Sequence, residues 1–337
     1  MVTPVSASFP TSSPQPAQVD GSAKTRILYL GGLGRSGSTL IERLLGELPG
    51  VCAVGEVVHM WRRGVVEGER CGCGEPFGEC PFWRLAGKAA FGGWDRLDVD
   101  RVAALRGAVD RTRFVPQLAA PAMRPAFRRA LDEYVSYYQR IYAAIAEASG
   151  CSFIVDSSKH ASLAFCLGRC QDLDLRIVHV VRDSRAVAYS WTKKVNRPDA
   201  AAASYMTRYS PANAAVQWNV QNGAMHLLAR TGTPILRVRY EDAARAPEAV
   251  LRDIAGFAGL AAVGRALRFL GGAGDDRWAE FRAAHTVSGN PMRFTTGRIP
   301  IRPDESWRTA MPAGQRRMVT ALTLPLLSHY GYGRPAA

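Results

Sequence analysis

The chain contains 337 residues, of which 47% are hydrophobic, and 43 Lys and Arg against 29 Asp and Glu give a formal net charge of +14. This composition is typical of a folded globular protein and excludes a disordered chain. No apolar run approaches the ~18 residues that span a bilayer, which argues against a transmembrane segment. The positive charge leaves nucleic acid, a membrane surface and a phosphorylated small molecule as possible partners.

The first 23 residues differ in composition from the rest of the chain. They are rich in Ser, Pro, Ala and Val and lack the basic start and apolar core of a secretion signal. We predict a disordered tail over 1–23, a single α/β domain over 24–337 and a cytoplasmic location.

The next segment predicts a strand, a glycine-rich turn and a helix. Residues 26–31 (RILYLG) form a short apolar run, the turn follows at 31–38, and leucines recur at helical spacing from Leu40 until Pro49. Residues 51–58 predict a second strand or extended segment. Residues 62–125 are irregular, basic and rich in Gly and Pro, and predict an insertion with short helices that covers one side of a binding site.

Three of the seven cysteines lie in this insertion, at Cys71, Cys73 and Cys80. Cysteines this close together can bind zinc, but a closed tetrahedral site needs four ligands, and this segment offers three with His59 as a distant fourth. We therefore predict a turn-rich loop with reduced thiols and no metal. Disulfides are not expected in a reducing compartment.

The remaining chain alternates between strands and helices. Further strands are predicted at 153–156, 175–181 and 234–240, and helices at 126–149, from 157, from 182, at 211–230, at about 247–258 and at 312–329. Asp156 is expected to cap the helix that starts at Ser157, and residues 285–308 are predicted as a basic loop. The alternation predicts a central parallel sheet with helices on both faces.

The turn after the first strand reads GGLGRSGST, from residue 31 to residue 39. Glycines allow the backbone to approach an anion, and the free N–H groups of the following helix point toward it. The spacing of Gly32 and Gly37 matches the nucleoside-triphosphate loop, but Ser38 stands where that loop has its lysine. A dinucleotide pattern also matches, although it is weak alone. We predict a phosphate cradle formed by Gly34, Arg35, Ser36, Gly37, Ser38 and Thr39.

A second candidate anion site lies in RIVHVVRDSRAVAYSW, at 176–191. Arg182 ends a buried strand, and Ser190 follows on the next helix. Ligands of open α/β sheets bind at the carboxyl ends of the strands. Because a guanidinium and a hydroxyl both donate hydrogen bonds, this pair can hold a second phosphate.

Together these two segments resemble the sulfotransferase family that uses 3′-phosphoadenosine-5′-phosphosulfate (PAPS). GRSGSTL is similar to its 5′-phosphosulfate loop and VVRDSRAVAYS to its 3′-phosphate motif, in the pattern of bacterial carbohydrate and small-molecule sulfotransferases and of tyrosylprotein sulfotransferases. Residues 285–294 (HTVSGNPMRF) resemble the late loop that folds over the nucleotide. Other matches follow in the family's order: Pro49, Gly55-Glu56, Lys159, the helix segment from Trp218 to Asn222, and RYED at 239–242.

The resemblance implies a P-loop-like three-layer α/β sandwich that transfers a sulfuryl group from PAPS to a hydroxyl or amine of a small-molecule, glycan or lipid acceptor. Adenosine 3′,5′-bisphosphate would be the other product, and no metal is required because side-chain cations supply the positive charge. The animal cytosolic enzymes carry a loop Lys and a catalytic His. This chain has Arg35 in the loop and no equivalent His, so the glutamate-based branch fits better, with Glu56 as the base.

The resemblance also implies roles for the cations. Arg35 and the amides of 36–39 would hold the 5′-phosphosulfate, and Lys159 would offset charge on the transferred group. His285 and Ser288 would touch the donor or order the late loop. The 3′-phosphate would be held by Arg182, Ser190 and Arg293.

Two other classes remain as alternatives. A P-loop kinase that uses Mg-ATP on a small metabolite is the first, and the missing loop lysine argues against it. A nucleic-acid binder is the second, but no helix-turn-helix, zinc finger or base-stacking platform is recognisable, so no nucleic-acid partner is predicted. The sequence predicts neither the acceptor nor the oligomeric state.

Overall fold

The computed structural model describes residues 24–199, 205–260 and 263–333. The tail predicted over 1–23 lies outside these ranges. Five parallel strands form the central sheet in the order β2-β3-β1-β4-β5. They are β1 (Thr25–Gly31), β2 (Val51–Gly55), β3 (Phe153–Lys159), β4 (Leu173–Val181) and β5 (Ile235–Arg239).

A second, antiparallel sheet lies late in the chain and is small. Its strands, in the order β6-β7-β8, are β6 (Leu270–Gly271), β7 (Trp278–Phe281) and β8 (Gly297–Pro300). The segment predicted as a basic loop over 285–308 therefore contains one strand of this sheet.

Within the described ranges the chain forms thirteen α-helices. They are α1 (Ser38–Gly46), α2 (Val57–His59), α3 (Pro81–Phe91), α4 (Val99–Val109), α5 (Val115–Ala119), α6 (Pro125–Ser149), α7 (Ala161–Leu167), α8 (Ser184–Thr192), α9 (Pro211–Ala229), α10 (Tyr240–Arg245), α11 (Pro247–Ala258), α12 (Trp307–Ala310) and α13 (Ala313–His329). A π-helical segment (Met60–Val66) follows α2, and 3₁₀ turns occur at Trp94–Arg96, Thr112–Phe114, Gly264–Phe269, Gly274–Asp276 and Pro291–Phe294.

The central strand β1 is apolar on both faces, as a strand covered by helices on both sides must be. Ile27 and Tyr29 face one hydrophobic core, which also contains α6 and α7 side chains, whereas Leu28 and Leu30 face a second core with α1 and α11. Successive side chains of a strand point to opposite faces, so one strand contributes to both cores. The predicted three-layer α/β architecture is confirmed.

The segment predicted as an insertion, 62–125, packs into the first of these cores. Trp83, Leu105 and Leu118 are buried there beside α6. The short helices α3 and α4 pack against the long helix α6, whereas α5 packs against α7. Within the described ranges, every helix is too short or too polar to cross a bilayer.

Strand β3 corrects two expectations. It continues to Lys159, which pairs with Gly31 of β1, and the next helix starts at Ala161 rather than at 157. Asp156 lies within the strand and caps no helix; its carboxylate accepts from the Tyr142 hydroxyl at 2.5 Å and from the Ser158 N–H at 2.7 Å. Hydropathy alone ends this strand at Asp156 because the next three residues are polar, although all three are buried.

Candidate active site

A cleft of about 710 Å³ opens at the carboxyl ends of the central strands. This is the edge at which open parallel sheets bind ligands. Nine of the residues expected to bind the donor or act on it lie at the cleft wall: Gly34, Arg35, Gly37, Ser38, Thr39, Glu56, Lys159, Arg182 and Ser190. Ser36 is buried behind the loop, where its N–H donates to the Leu33 carbonyl at 3.3 Å.

The glycine-rich turn joins β1 to the N-terminus of α1. Gly37 caps this helix with φ +88°, and a Cβ at that position would lie 2.1 Å from Cδ2 of Tyr240. Glycine is therefore required both by the backbone angle and by the close approach of the ring. The amides of Ser38 and Thr39, in the first helical turn, have no acceptor within the helix and carry the positive end of its dipole.

Arg35 extends from this turn with an unusual backbone and an unsatisfied side chain. Its φ is +72°, and its guanidinium lies over the ring of Trp191, 5.3 Å from the centroid. Trp191 is itself anchored, because its indole N–H donates to the Gly34 carbonyl at 3.1 Å. Among the described residues, Nε and Nη2 of Arg35 have no hydrogen-bond partner. Burial lowers its pKa from the ordinary value, yet a guanidinium stays charged, so the cleft contains an unpaired cation.

Glu56 and Lys159 meet where β2 and β3 end. The Lys159 ammonium donates a short hydrogen bond to Oε1 of Glu56, and Nε2 of His59 lies 3.5 Å from Oε2. Burial opposes the charge on Glu56, but Lys159 and then His59 outweigh it and lower the pKa of Glu56 to about 2. Burial lowers the pKa of His59 to about 3. At neutral pH the site therefore holds a paired carboxylate beside a neutral imidazole.

A buried carboxylate that sequence reasoning missed fixes this geometry. Glu42 of α1 accepts from the Gly55 N–H at 2.6 Å and from the Ser157 hydroxyl at 2.7 Å. These two residues adjoin the ends of β2 and β3, so one side chain ties together the strands that carry Glu56 and Lys159. Burial raises the pKa of Glu42 to about 7.

The late loop is attached to the edge of β2, directly beside Glu56. Val287 forms a parallel bridge with Gly55, with hydrogen bonds from the Val287 N–H to the Val54 carbonyl (2.9 Å) and from the Glu56 N–H to the Val287 carbonyl (2.8 Å). A Cβ on Gly289 would lie 3.0 Å from Oε1 of Glu56. The loop thus covers the carboxylate.

Three non-glycine residues of the described chain have positive φ, namely Arg35, Lys159 and Ser288. All three lie at this site: the first two line the cleft, and Ser288 is buried in the loop beside Glu56. Such conformations cost about 1–3 kcal/mol each and concentrate at functional sites.

Arg182 lies at the carboxyl end of β4, beside the glycine-rich turn. Its Nη1 donates to the Arg35 carbonyl at 3.2 Å, its guanidinium lies over the Tyr240 ring at 4.4 Å, and its Nη2 contacts the carbonyl (2.8 Å) and the carboxylate (3.4 Å) of Asp304. The buried Trp218 donates its indole N–H to the Arg182 carbonyl at 3.0 Å. The Arg182 side chain is therefore held at the cleft wall, which Ser190 also lines.

Arg293 is not brought to this group, which corrects the expectation that it lines the donor site. Its side chain is 2% exposed and donates to the carbonyls of Thr286 and Arg70, both at 2.6 Å, and to Asp199 at 3.3 Å. The guanidinium therefore fastens the late loop to the insertion. A basic residue in a loop gives no sequence signal that separates a ligand contact from a buried tether.

The rest of the cleft wall mixes polar and aromatic side chains with aliphatic ones such as Leu33, Met206 and Ile299. His59 and His160 approach each other with ring centroids 5.8 Å apart, and neighbouring wall residues are Tyr205, Tyr209, Gln217 and Gln221. Several groups that can donate or accept hydrogen bonds thus line the cleft.

Several solved structures of sulfotransferases are similar to this chain at low sequence identity. The sulfotransferase domain of the Synechococcus PCC 7002 olefin synthase is 20% identical, covering 96% of this chain and 100% of that chain, with a TM-score of 0.48. The sulfotransferase domain of the curacin biosynthetic pathway is 15% identical, covering 93% and 99%, with a TM-score of 0.47. For the sulfotransferase STF1 of Mycobacterium tuberculosis the identity is 16%, the coverage 73% and 70%, and the TM-score 0.38.

The search of curated proteins found no match. The sequence model described as "Sulfotransferase family" matches residues 89–263, just over half of the chain. The match begins after the glycine-rich turn and includes Lys159, Arg182 and Ser190. On this evidence the chain belongs to the sulfotransferase family.

Proposed function

We propose that the sulfuryl donor is PAPS and that the acceptor is a hydroxyl or amine of a small molecule, glycan or lipid. One observation carries this proposal: a single cleft contains two sets of anion-binding groups. Arg35, Lys159 and the N-terminus of α1 form one, and Arg182 with Ser190 forms the other. PAPS has the complementary chemistry, with a phosphosulfate on the 5′ side and a phosphate on the 3′ side.

The unpaired guanidinium of Arg35 supports binding of the 5′-phosphosulfate. Arg35 is half-buried, but its Nε and Nη2 atoms are buried without a partner among the described residues, which is costly, and an anionic ligand removes that cost. The free amides at the start of α1 add donors directed at the same anion. Arg182 is partly occupied by Asp304, so a 3′-phosphate would compete with a carboxylate for this guanidinium.

The reaction is an in-line transfer. The bond between sulfur and the bridging phosphate oxygen breaks, a bond between sulfur and the acceptor oxygen or nitrogen forms, and adenosine 3′,5′-bisphosphate leaves with the bridging oxygen. The acceptor proton passes to Glu56. Catalysis of such loose transfers rests on positioning and on charge stabilisation, which Arg35 and Lys159 supply.

The ion pair between Glu56 and Lys159 regulates this base. While Lys159 donates to Glu56, the low pKa of the carboxylate makes it a weak proton acceptor. Donor oxygens that draw Lys159 away remove the main influence that lowers this pKa, so the basicity of Glu56 rises in the donor complex. Substrate binding therefore activates the base.

The kinase alternative finds no support. The family match is to sulfotransferases, and Ser38 occupies the position of the lysine that a triphosphate loop uses.

The experiment compares wild type, Glu56→Gln and the control Glu147→Gln, whose carboxylate is exposed on α6. We expect Glu56→Gln to lower turnover by about 10²–10⁴-fold, the usual contribution of a general base. Adenosine 3′,5′-bisphosphate should bind it as tightly as wild type or more tightly, because Lys159 is released. Turnover is measured with donor labelled in its sulfuryl group against an acceptor library, and binding by calorimetry. Turnover near wild type would refute the role of Glu56.

The donor is tested in the same series through Arg182→Ala, with exposed Arg252→Ala of α11 as the control. Arg182→Ala should weaken binding of adenosine 3′,5′-bisphosphate by about 10-fold or more, the loss of one charge-assisted contact. Binding of adenosine 5′-phosphate should change little. Equal losses for both nucleotides would remove the case for a 3′-phosphate site.

A further inference from the structure

The three clustered cysteines acquire a fourth partner in the fold. Cys71, Cys73 and Cys80 surround the imidazole of His285, and one ligand atom from each residue lies within 4.8 Å of the other three. Cys71 and Cys80 are buried, whereas Cys73 and His285 are half-buried. His59, the distant fourth ligand considered from the sequence, lies instead beside Glu56.

Three of the six distances between ligand atoms in this group are close to those of a tetrahedral zinc site. Nδ1 of His285 lies 3.3 Å from Sγ of Cys80 and 3.8 Å from Sγ of Cys71, and Sγ of Cys73 lies 3.7 Å from Sγ of Cys80. Zn–S bonds of about 2.3 Å and a Zn–N bond of about 2.0–2.1 Å at tetrahedral angles place the ligand atoms about 3.5–3.8 Å apart. The observed spacings bracket these values.

The backbone presents the ligands without further help from a metal. The Cys71 N–H donates to the Glu75 carbonyl (2.8 Å), the Gly74 N–H to the Cys71 carbonyl (2.9 Å) and the Cys80 N–H to the Pro76 carbonyl (2.9 Å), which winds 71–80 into a compact loop. Phe82 stacks on the His285 ring, with centroids 4.9 Å apart and planes inclined by 10°. Both the loop and the imidazole are therefore oriented before any ion binds.

The fourth ligand comes from the late loop, and the two segments approach closely. The Gly72 N–H donates to the Thr286 carbonyl at 2.9 Å, and a Cβ on Gly72 would lie 2.4 Å from the Thr286 hydroxyl oxygen. Position 72 is thus suited to glycine because the two backbones pass so near each other. This approach brings His285 to the cysteines.

We propose that Cys71, Cys73, Cys80 and His285 bind one structural zinc ion. Soft thiolates with one imidazole at tetrahedral spacing select zinc over the hard cations. Four protein ligands leave no open position for a substrate, so the ion is structural rather than catalytic. On binding, the three thiols release their protons to solvent and the neutral imidazole coordinates through Nδ1.

The site fastens the insertion to the loop that covers the base. His285 is two residues from Val287, which pairs with the edge of β2, and Asn290 and Met292 of the same loop line the cleft. Loss of zinc should therefore loosen this wall and weaken nucleotide binding. That consequence rests on the proposed function, whereas the metal content does not.

The test uses the full chain, expressed with zinc and purified without a chelator. Its metal content is measured by inductively coupled plasma mass spectrometry. We expect about one zinc per chain in wild type, and zinc release when a mercurial reagent titrates the thiols. Cys73→Ser and His285→Gln should each lose the ion. Cys170→Ser should keep it, because Cys170 is a half-buried free cysteine outside the group.

The metal content of the wild-type protein tests the proposal even if a variant fails to fold. Substoichiometric zinc, stoichiometric iron in its place, or a disulfide among the three cysteines in wild type would overturn the assignment. Zinc retained by both ligand variants would overturn it as well. If zinc is present but neither adenosine 3′,5′-bisphosphate nor PAPS binds, the metal site stands and the proposed donor fails.

Discussion

The buried ion pair of Glu56 and Lys159 should make the stability effects of substitutions at these two positions depend on each other. The pKa of Glu56, lowered from 4.5 to about 2, corresponds to about 3 kcal/mol in favour of the carboxylate in the folded protein. Lys159 is the largest influence that lowers it, and the side chains of Lys159 and Glu56 are only 11% and 14% exposed. We therefore expect Lys159→Met to destabilise the protein by about 3 kcal/mol at pH 7, because it leaves a buried carboxylate unpaired.

Urea unfolding of wild type, Lys159→Met, Glu56→Gln and the double variant measures this coupling. Lys159→Met should cost about 2–3 kcal/mol less when Glu56 is already Gln. The pair Arg128 and Asp132 is the control, since it lies 2.8 Å apart with both side chains about half exposed. Solvent screens that pair, so its coupling should be far smaller. Costs that add to within about 0.5 kcal/mol at Glu56 and Lys159 would refute the ion pair.

The acid dependence of stability has a defined sign. Because the folded pKa of Glu56 lies below its ordinary value of 4.5, the unfolded chain takes up the proton first as the pH falls. The stabilisation is complete above about pH 5 and is lost as the pH falls toward 2. The stability difference between wild type and Glu56→Gln should shrink over this window, and a constant difference would contradict the assigned pKa.

Two further substitutions test the anion-binding groups. Asp304→Asn should tighten binding of adenosine 3′,5′-bisphosphate by about two- to fivefold in calorimetry, because the Asp304 carboxylate lies 3.4 Å from both Arg182 and Lys193. The control is Glu305→Gln, which should leave binding unchanged because Glu305 pairs with Arg245 and Arg308 instead. Equal effects of the two substitutions would contradict the proposed competition between Asp304 and the 3′-phosphate. Gly37→Ala should lower the melting temperature and abolish nucleotide binding, because the φ of Gly37 is +88° and Tyr240 blocks a side chain there. The control is Gly107→Ala, which should do neither because position 107 on α4 faces open space. A Gly37→Ala variant with unchanged stability and binding would exclude the proposed phosphate cradle.

The local part of the fold was predictable from short-range pattern. The strand, turn and helix around the glycine-rich loop follow from apolar spacing and from glycine chemistry, and so does Arg182 at the end of a strand. Lys159 was placed by its motif, although the strand that carries it was predicted to end three residues too early. Short-range pattern was sufficient for these residues because the position of each one is set by the strand, turn or helix that carries it.

The contacts that complete the site depend on distant parts of the chain. His285 lies 205 positions from Cys80, so no local spacing connects them. Glu42 stands between apolar residues of an amphipathic helix and looks like a surface carboxylate, yet it accepts from Gly55 and Ser157 on two other elements. Arg293 has the charge expected of a phosphate-binding residue, but its side chain is buried and paired with Asp199. Only the assembled fold distinguishes these cases.

The bridge between Gly55 and Val287 has a consequence for the order in which the enzyme matures during synthesis. All five strands of the central sheet have been translated once residue 239 is made, so the sheet and the glycine-rich turn can form early. The edge of β2 beside Glu56 stays open until Val287 emerges and occupies it. A nascent or truncated chain can therefore contain the central sheet and the glycine-rich turn with a free sheet edge, which is vulnerable to aggregation. The surroundings of Glu56 therefore cannot be complete before residue 287 has been synthesised.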